Sequence, residues 1–229
     1  MVEQKAGLTT YSLPDMQRPG ELGIFNKTNL IVISGLNGTG VTELGSTLGK
    51  SPGVLVFSDR ELITVSSTRY QGNLPEISPR NVAYHAELDA ISARLLHALG
   101  EKKGVLVRPT GGIIVSKIRE EAARTHRPIP RITTVLLTQS EENRYAGAIQ
   151  ARMNQLKEVP DQERLQHVRT LERKLLAGVR KMYDLPEIQD PFSETFSLMG
   201  VPVYDVTLHS DGLNGQQIAE KLSEVASAI

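Results

Sequence analysis

Five short apolar segments constrain what this chain can become. They are Leu30 to Ile33, Val54 to Phe57, Val105 to Val107, Ile132 to Leu137 and Val203 to Leu208. Each is β-branched and apolar at both alternations, which predicts strands covered on two faces, as in a parallel sheet. Helical patterns fill the intervals. Thr42 to Gly49 carries Leu44 and Leu48 four residues apart. Ser78-Pro79 supplies an N-cap and an N1 proline for a helix that ends at Gly100, with Tyr84, Leu88, Ile91, Leu95 and Ala98/Leu99 as its inward stripe. Ile113 to Thr125 predicts a third helix, and Thr138-Gln139-Ser140-Glu141 reads as a capping box opening a fourth. A long polar helix is expected from Asp161 to Tyr183, with Leu165, Val168, Leu175/Leu176 and Val179 facing inward. The last helix runs from Asn214 to Ala228 on Ile218, Leu222 and Val225. Strictly alternating strands and helices need long crossovers. The fold expected is therefore α/β, a three-layer, doubly wound, parallel five-stranded sheet.

The chain has 229 residues. At about 150 residues per domain this fits one large domain or a domain with an appendage. Residues 1–27 hold Gly7, Pro14, Pro19, Gly20 and Gly23 without a sustained period, which marks an arm lying on the domain or loosely ordered. The domain then spans 28–229. Basic and acidic residues balance at 26 each, so the broad attraction that nucleic acid or an anionic membrane would need is missing. There is no cysteine, which excludes disulfides, thiolate metal sites and a thiol nucleophile. The N-terminus lacks the pattern of a secretory signal, and no apolar run reaches membrane length. A cytoplasmic protein is expected, with homo-oligomerisation left open.

The sharpest local signal is Gly35-Leu36-Asn37-Gly38-Thr39-Gly40-Val41-Thr42, between the first strand and the first helix. It has the frame of a phosphate-binding loop, G-x-x-x-x-G-K-[ST], in the required strand–turn–helix setting. Glycines admit an anion close to the backbone, successive amides point inward, and the helix N-terminus adds partial positive charge. Val41 stands at the lysine position, leaving a cradle without its cation. Taken by itself, with the lysine absent, the loop reads more readily as a plain tight strand-to-helix turn, which any doubly wound fold needs. The spacing is not G-x-G-x-x-G, and no G-x-S-x-G elbow occurs, so a dinucleotide oxidoreductase and an α/β-hydrolase are disfavoured. The five histidines show no i, i+4 pairing that would suggest a metal. Four phenylalanines and no tryptophan give little basis for stacking a single strand of nucleic acid.

Further landmarks follow in order: Phe57-Ser58-Asp59-Arg60-Glu61-Leu62-Ile63, Gly104-Val105-Leu106-Val107-Arg108-Pro109, Val135-Leu136-Leu137 running into Asn143-Arg144, and Tyr204-Asp205-Val206 running into Ser210-Asp211-Gly212-Leu213. Together they resemble the cytidylate-kinase-like family of P-loop nucleoside-monophosphate kinases, over roughly Leu30 to Ile229. Members of this branch commonly lack the loop lysine. The third strand departs from the pattern, with Val107 where the family usually has glycine before its arginine. The resemblance implies phosphoryl transfer from ATP with Mg²⁺ to a small nucleotide such as CMP or dCMP. It implies that Gly35, Asn37, Gly38, Thr39, Gly40, Val41 and Thr42 hold the donor, with the Thr42 hydroxyl on the metal. Asp59, Arg60 and Arg108 would contact the acceptor, and Arg144 and Arg152 would be lid arginines that neutralise the migrating group. Cations that could replace the missing lysine are Lys27, Arg60, Arg108, Arg144 and Arg152. A stripe of Arg169, Arg173 and Arg180 could add a phosphate contact or form a solvated face. The loop Pro186 to Pro202, with Phe192 and Phe196, is long enough for a lid or an oligomer contact. The competing function is a nucleotide-binding sensor or interaction module without chemistry.

Overall fold

In the computed structural model, residues 23–58, 79–108, 111–153, 156–157, 159–182, 185–198 and 200–228 are described. The element order is β1 (Leu30–Gly35), α1 (Val41–Leu48), β2 (Val54–Ser58), α2 (Pro79–Leu99), β3 (Lys103–Val107), α3 (Gly111–Arg124), β4 (Ile132–Thr138), α4 (Glu141–Ala151), α5 (Asp161–Met182), β5 (Ser197–Leu198), β6 (Val201–Pro202), β7 (Val206–His209) and α6 (Gly215–Ala228). Five strands form one parallel sheet in the order β2-β3-β1-β4-β7, and β5 and β6 make a separate antiparallel hairpin. This is the expected α/β, doubly wound arrangement.

Strand alternation divides the core. Ile31 and Ile33 of β1 point to one layer, against Leu44 and Leu48 of α1 and Ile218 and Leu222 of α6. Leu30 and Val32 point to the other, against Leu88, Ile91, Leu95 and Leu99 of α2 and Ile114 and Ile118 of α3. These four α2 positions are those the periodicity assigned inward. Tyr84 lies where side chains are outside the described residues, and Ala98 faces solvent. A short 3-10 turn, Gly23–Asn26, puts Ile24 and Phe25 into the α1/α6 layer. Central β1 is flanked by β3 and β4, which places the switch point of the sheet, and the crevice such sheets use for ligands, at Gly35.

The fifth sheet strand starts at Val206, because Asp205 turns back to β4: its carboxylate accepts from Thr134 N and Thr134 Oγ1, both at 2.7 Å. The Pro186–Pro202 segment contains the β5–β6 hairpin, and its Phe192 and Phe196 are buried against Leu136 and Tyr204, so these two aromatics serve the core. On α5, Leu165 is exposed, while Val168, Glu172 and Val179 are buried and Leu175 and Leu176 half-buried. A glutamate therefore occupies the middle of the inward stripe.

Candidate functional site

The glycine loop leaves β1 and returns as α1. Thr39 closes its first half: the amide and the hydroxyl both donate to Leu36 O, at 3.2 and 2.8 Å. This turn is possible because Gly38 takes φ +92, and Gly40 follows at φ +87 as the left-handed N-cap of α1. Its N-cap glycine has no side chain with which to cap α1. The amides of its first turn, Val41 and Thr42 among them, thus have no intrahelical acceptor and carry the positive end of the helix dipole. The Thr42 side chain is exposed in that same turn. Glu43 is turned away, its carboxylate accepting from Gly215 N at 3.0 Å and so capping α6. Val41 is half-buried and packs on the α1/α6 core layer, so the lysine position is used for packing. The loop is thus rich in backbone donors, with the amide of Thr39 spent internally.

The expected cations are placed unequally. Arg108 follows β3, its amide donates to Ile33 O at 2.9 Å, and it is buried beside the root of the loop. Arg144 is buried on α4 and makes an ion pair with buried Glu172 of α5, whose other oxygen accepts from Tyr145 OH at 3.2 Å. Both arginines nearby face the Tyr145 ring, Arg144 at 4.4 Å and Arg169 at 5.1 Å from its centre. Arg152 ends α4, half-buried. Lys27 precedes β1, at the opposite edge of the sheet from the loop, and cannot stand in for the missing lysine. Asp59 and Arg60 lie outside the described residues. The arginine stripe of α5 is divided among partners: Arg169 pairs with Glu141 at 3.0 Å and Arg180 Nε donates to Gln189 O at 2.8 Å.

A second group at the carboxyl ends of β4 and β7 went unassigned at the level of sequence. The α4 N-cap is Ser140, and the capping acceptor is Asp211, which takes Ser140 N–H at 3.0 Å. The Thr138–Glu141 capping box is thereby replaced by a cap delivered from β7. His209 bridges Asp211 at 3.0 Å and Thr138 Oγ1 at 3.4 Å. Partial burial opposes ionisation of Asp211, but hydrogen bonds from Asn143, Ser140 and His209 outweigh it and hold the carboxyl at about 2, below its ordinary 3.8. With the folded value depressed, the stabilisation is complete above the ordinary value and is lost as pH falls towards about 2. The stability difference between wild type and Asp211→Asn, read by urea unfolding, is expected to be largest at neutral pH and to shrink across that acid window. A difference independent of pH would contradict the ionised cap. Ser210-Asp211 stood out in the sequence as a landmark beyond a strand end, and both residue types favour caps, but nothing local showed which helix they serve.

No family model matches the chain, and no curated protein sequence matches it. Solved structures do. An uncharacterized protein from Eubacterium ventriosum ATCC 27560 superposes with a TM-score of 0.54 at 11% identity, over 89% of this chain and 100% of that one. Shikimate kinase from Acinetobacter baumannii, solved with shikimate, superposes with a TM-score of 0.50 at 17% identity, over 89% of this chain and 96% of that one. At such identities the fold is what is shared. The fold shared with that kinase is a parallel five-stranded sheet with flanking helices, and the glycine loop of this chain sits at its switch point. No helix among the described residues is long and apolar enough to cross a membrane.

Proposed function

We propose that the protein catalyses ATP-dependent phosphoryl transfer to a small acceptor. The observation that carries this reading is the glycine loop at the switch point, its φ-positive glycines bringing to one surface the N-terminus of α1, whose first-turn amides have no intrahelical acceptor. Phosphoryl transfer asks a protein chiefly for positioning and positive charge, and that surface supplies both. In this reading the amides of Gly38, Gly40, Val41 and Thr42 hold donor phosphate, and the exposed Thr42 hydroxyl is the Mg²⁺ ligand. Bound there, Mg²⁺ would neutralise charge on the phosphates. Arg152 and Arg144 are the lid cations, while Arg108, with Asp59 and Arg60, faces the acceptor. The cytidylate-kinase-like resemblance supports a pyrimidine monophosphate such as CMP or dCMP as acceptor. The fold shared with shikimate kinase adds small hydroxyl acids to the acceptors worth testing. A domain of 28–229 behind an arm, acting in the cytoplasm where ATP is abundant, completes this reading.

Coupled detection of ADP over nucleoside monophosphates and small hydroxyl acceptors tests it. Acceptor-dependent ADP release is expected, and Thr42→Ala should lower kcat/KM at least about tenfold. Tight ATP binding without turnover on any acceptor would instead favour a second reading, a nucleotide-binding module without chemistry. The packing of Val41 into the core, which removes the loop's own cation, is the observation on that side.

A further inference from the structure

We propose that the consecutive residues Ser210 and Asp211 are positioning residues that set the glycine loop and α4 relative to each other. Ser210 does so by fixing the direction of the Gly40 amide. The proposal rests on the reading of the loop as a phosphate cradle.

Ser210 is buried, at 2% exposure, just beyond the carboxyl end of β7. Its hydroxyl lies 3.1 Å from Thr39 O in the glycine loop and 3.1 Å from Thr138 O at the end of β4. A hydroxyl has one proton, so the two carbonyls share it and are held on the same point. Its own amide donates to Thr138 O at 2.9 Å, which fixes Ser210 on β4 independently of the loop.

The consequence for the cradle follows from peptide geometry. Thr39 C=O and Gly40 N–H belong to one planar unit, and no described peptide bond is cis, so the two point in opposite directions. A Thr39 carbonyl held on Ser210 therefore turns Gly40 N–H to the far side of the loop backbone. Without that hydrogen bond, the carbonyl in this buried position would lose its partner, and the flanking φ-positive glycines would let the peptide plane rotate. Ser210 thus orients a phosphate donor that it does not itself present.

Asp211, the next residue, accepts the amide that opens α4. One turn after β7, closed by Leu213 N donating to Ser210 O at 3.1 Å, therefore grips both the loop and the start of α4. On the far side the loop and helix meet backbone to backbone. A Cβ on Gly147 would stand 2.9 Å from Gly38 O, so nothing bulkier than hydrogen separates them. The loop is thus held between the turn after β7 and α4.

The experiment compares wild type, Ser210→Ala and Asp211→Asn by ADP titration calorimetry and by amide exchange in the ligand-free proteins. For Ser210→Ala, ADP affinity is expected to fall about five- to tenfold, the worth of one hydrogen bond, with the KM for ATP rising equally and the acceptor KM unchanged. Exchange at Thr39 and Leu44, whose amides donate to Leu36 O and Gly40 O on either side of that peptide, should accelerate while β1 and β4 keep their protection. In Asp211→Asn the acceleration should fall on the first turn of α4. Unchanged affinity with unchanged loop exchange would overturn the proposal, as would a uniform loss of protection with normal ADP affinity. Should wild type bind no ADP, the phosphate reading fails, and with it the role in affinity. The exchange data then decide separately whether Ser210 orders the loop.

Discussion

Gly38→Ala is expected to abolish nucleotide binding and to destabilise the fold by about 3–5 kcal/mol, from backbone strain and overpacking together. Two independent causes act at this position. The residue sits at φ +92, which L side chains rarely adopt. The added Cβ would also land inside the van der Waals envelope of Arg144 O and 2.8 Å from Ala148 N, backbone atoms of α4 that cannot rotate aside. Relief requires that α4 withdraw or that the loop lift, and either change opens the cradle. Gly40→Ala is the internal control. It has nearly the same dihedral, φ +87, but its nearest neighbour would be Ile218 Cδ1 at 3.9 Å. Only conformational strain applies there, so a loss of about 1 kcal/mol is expected. Urea unfolding of the two variants separates clash from strain. Equal losses would show that the loop does not bear on α4.

This contrast also marks where the sequence is readable. Strand positions such as Ile31 to Ile33 are apolar on both alternations because both faces are covered, a demand met residue by residue within the segment itself. The stripe Leu88, Ile91, Leu95, Leu99 is equally local, since a helix period needs no knowledge of what it packs against. The glycine loop was visible for the same reason: its frame lies within eight consecutive residues. What escaped depends on partners far along the chain. The α4 cap comes from Asp211, 71 residues after Ser140, so the nearer Thr138 looked sufficient. Gly147 resembles any helical glycine until Gly38 is laid against it. Glu172 broke the amphipathic pattern of α5, and apolar Leu165 drew the inward face instead. A buried carboxylate reads as a mistake in periodicity until Arg144, 28 residues earlier, is brought opposite it.

Glu172→Ala is accordingly expected to cost about 3–5 kcal/mol, because it strands a guanidinium whose side chain is only 10% exposed. The pair as a whole is a different matter. Two charges withdrawn from water contribute little net stability, and an apolar pair of similar volume often serves as well or better. Arg144→Met combined with Glu172→Leu should therefore recover most of the loss, of similar size, seen with Glu172→Leu alone, a coupling that a double-mutant cycle by denaturant unfolding measures directly. Tyr145 sets one limit on the recovery, since its hydroxyl also loses its acceptor in that background. With stability restored, activity becomes informative about Arg144 itself. If Arg144 leaves Glu172 for the migrating phosphoryl group, the double variant is folded yet slowed at least about a hundredfold in kcat, as expected for removing one preorganised charge from the transition state. Wild-type kcat in the folded double variant would make Arg144 a strut between α4 and α5. The lid charge would then fall to Arg152, which ends the same helix without the burial that ties Arg144 to Glu172.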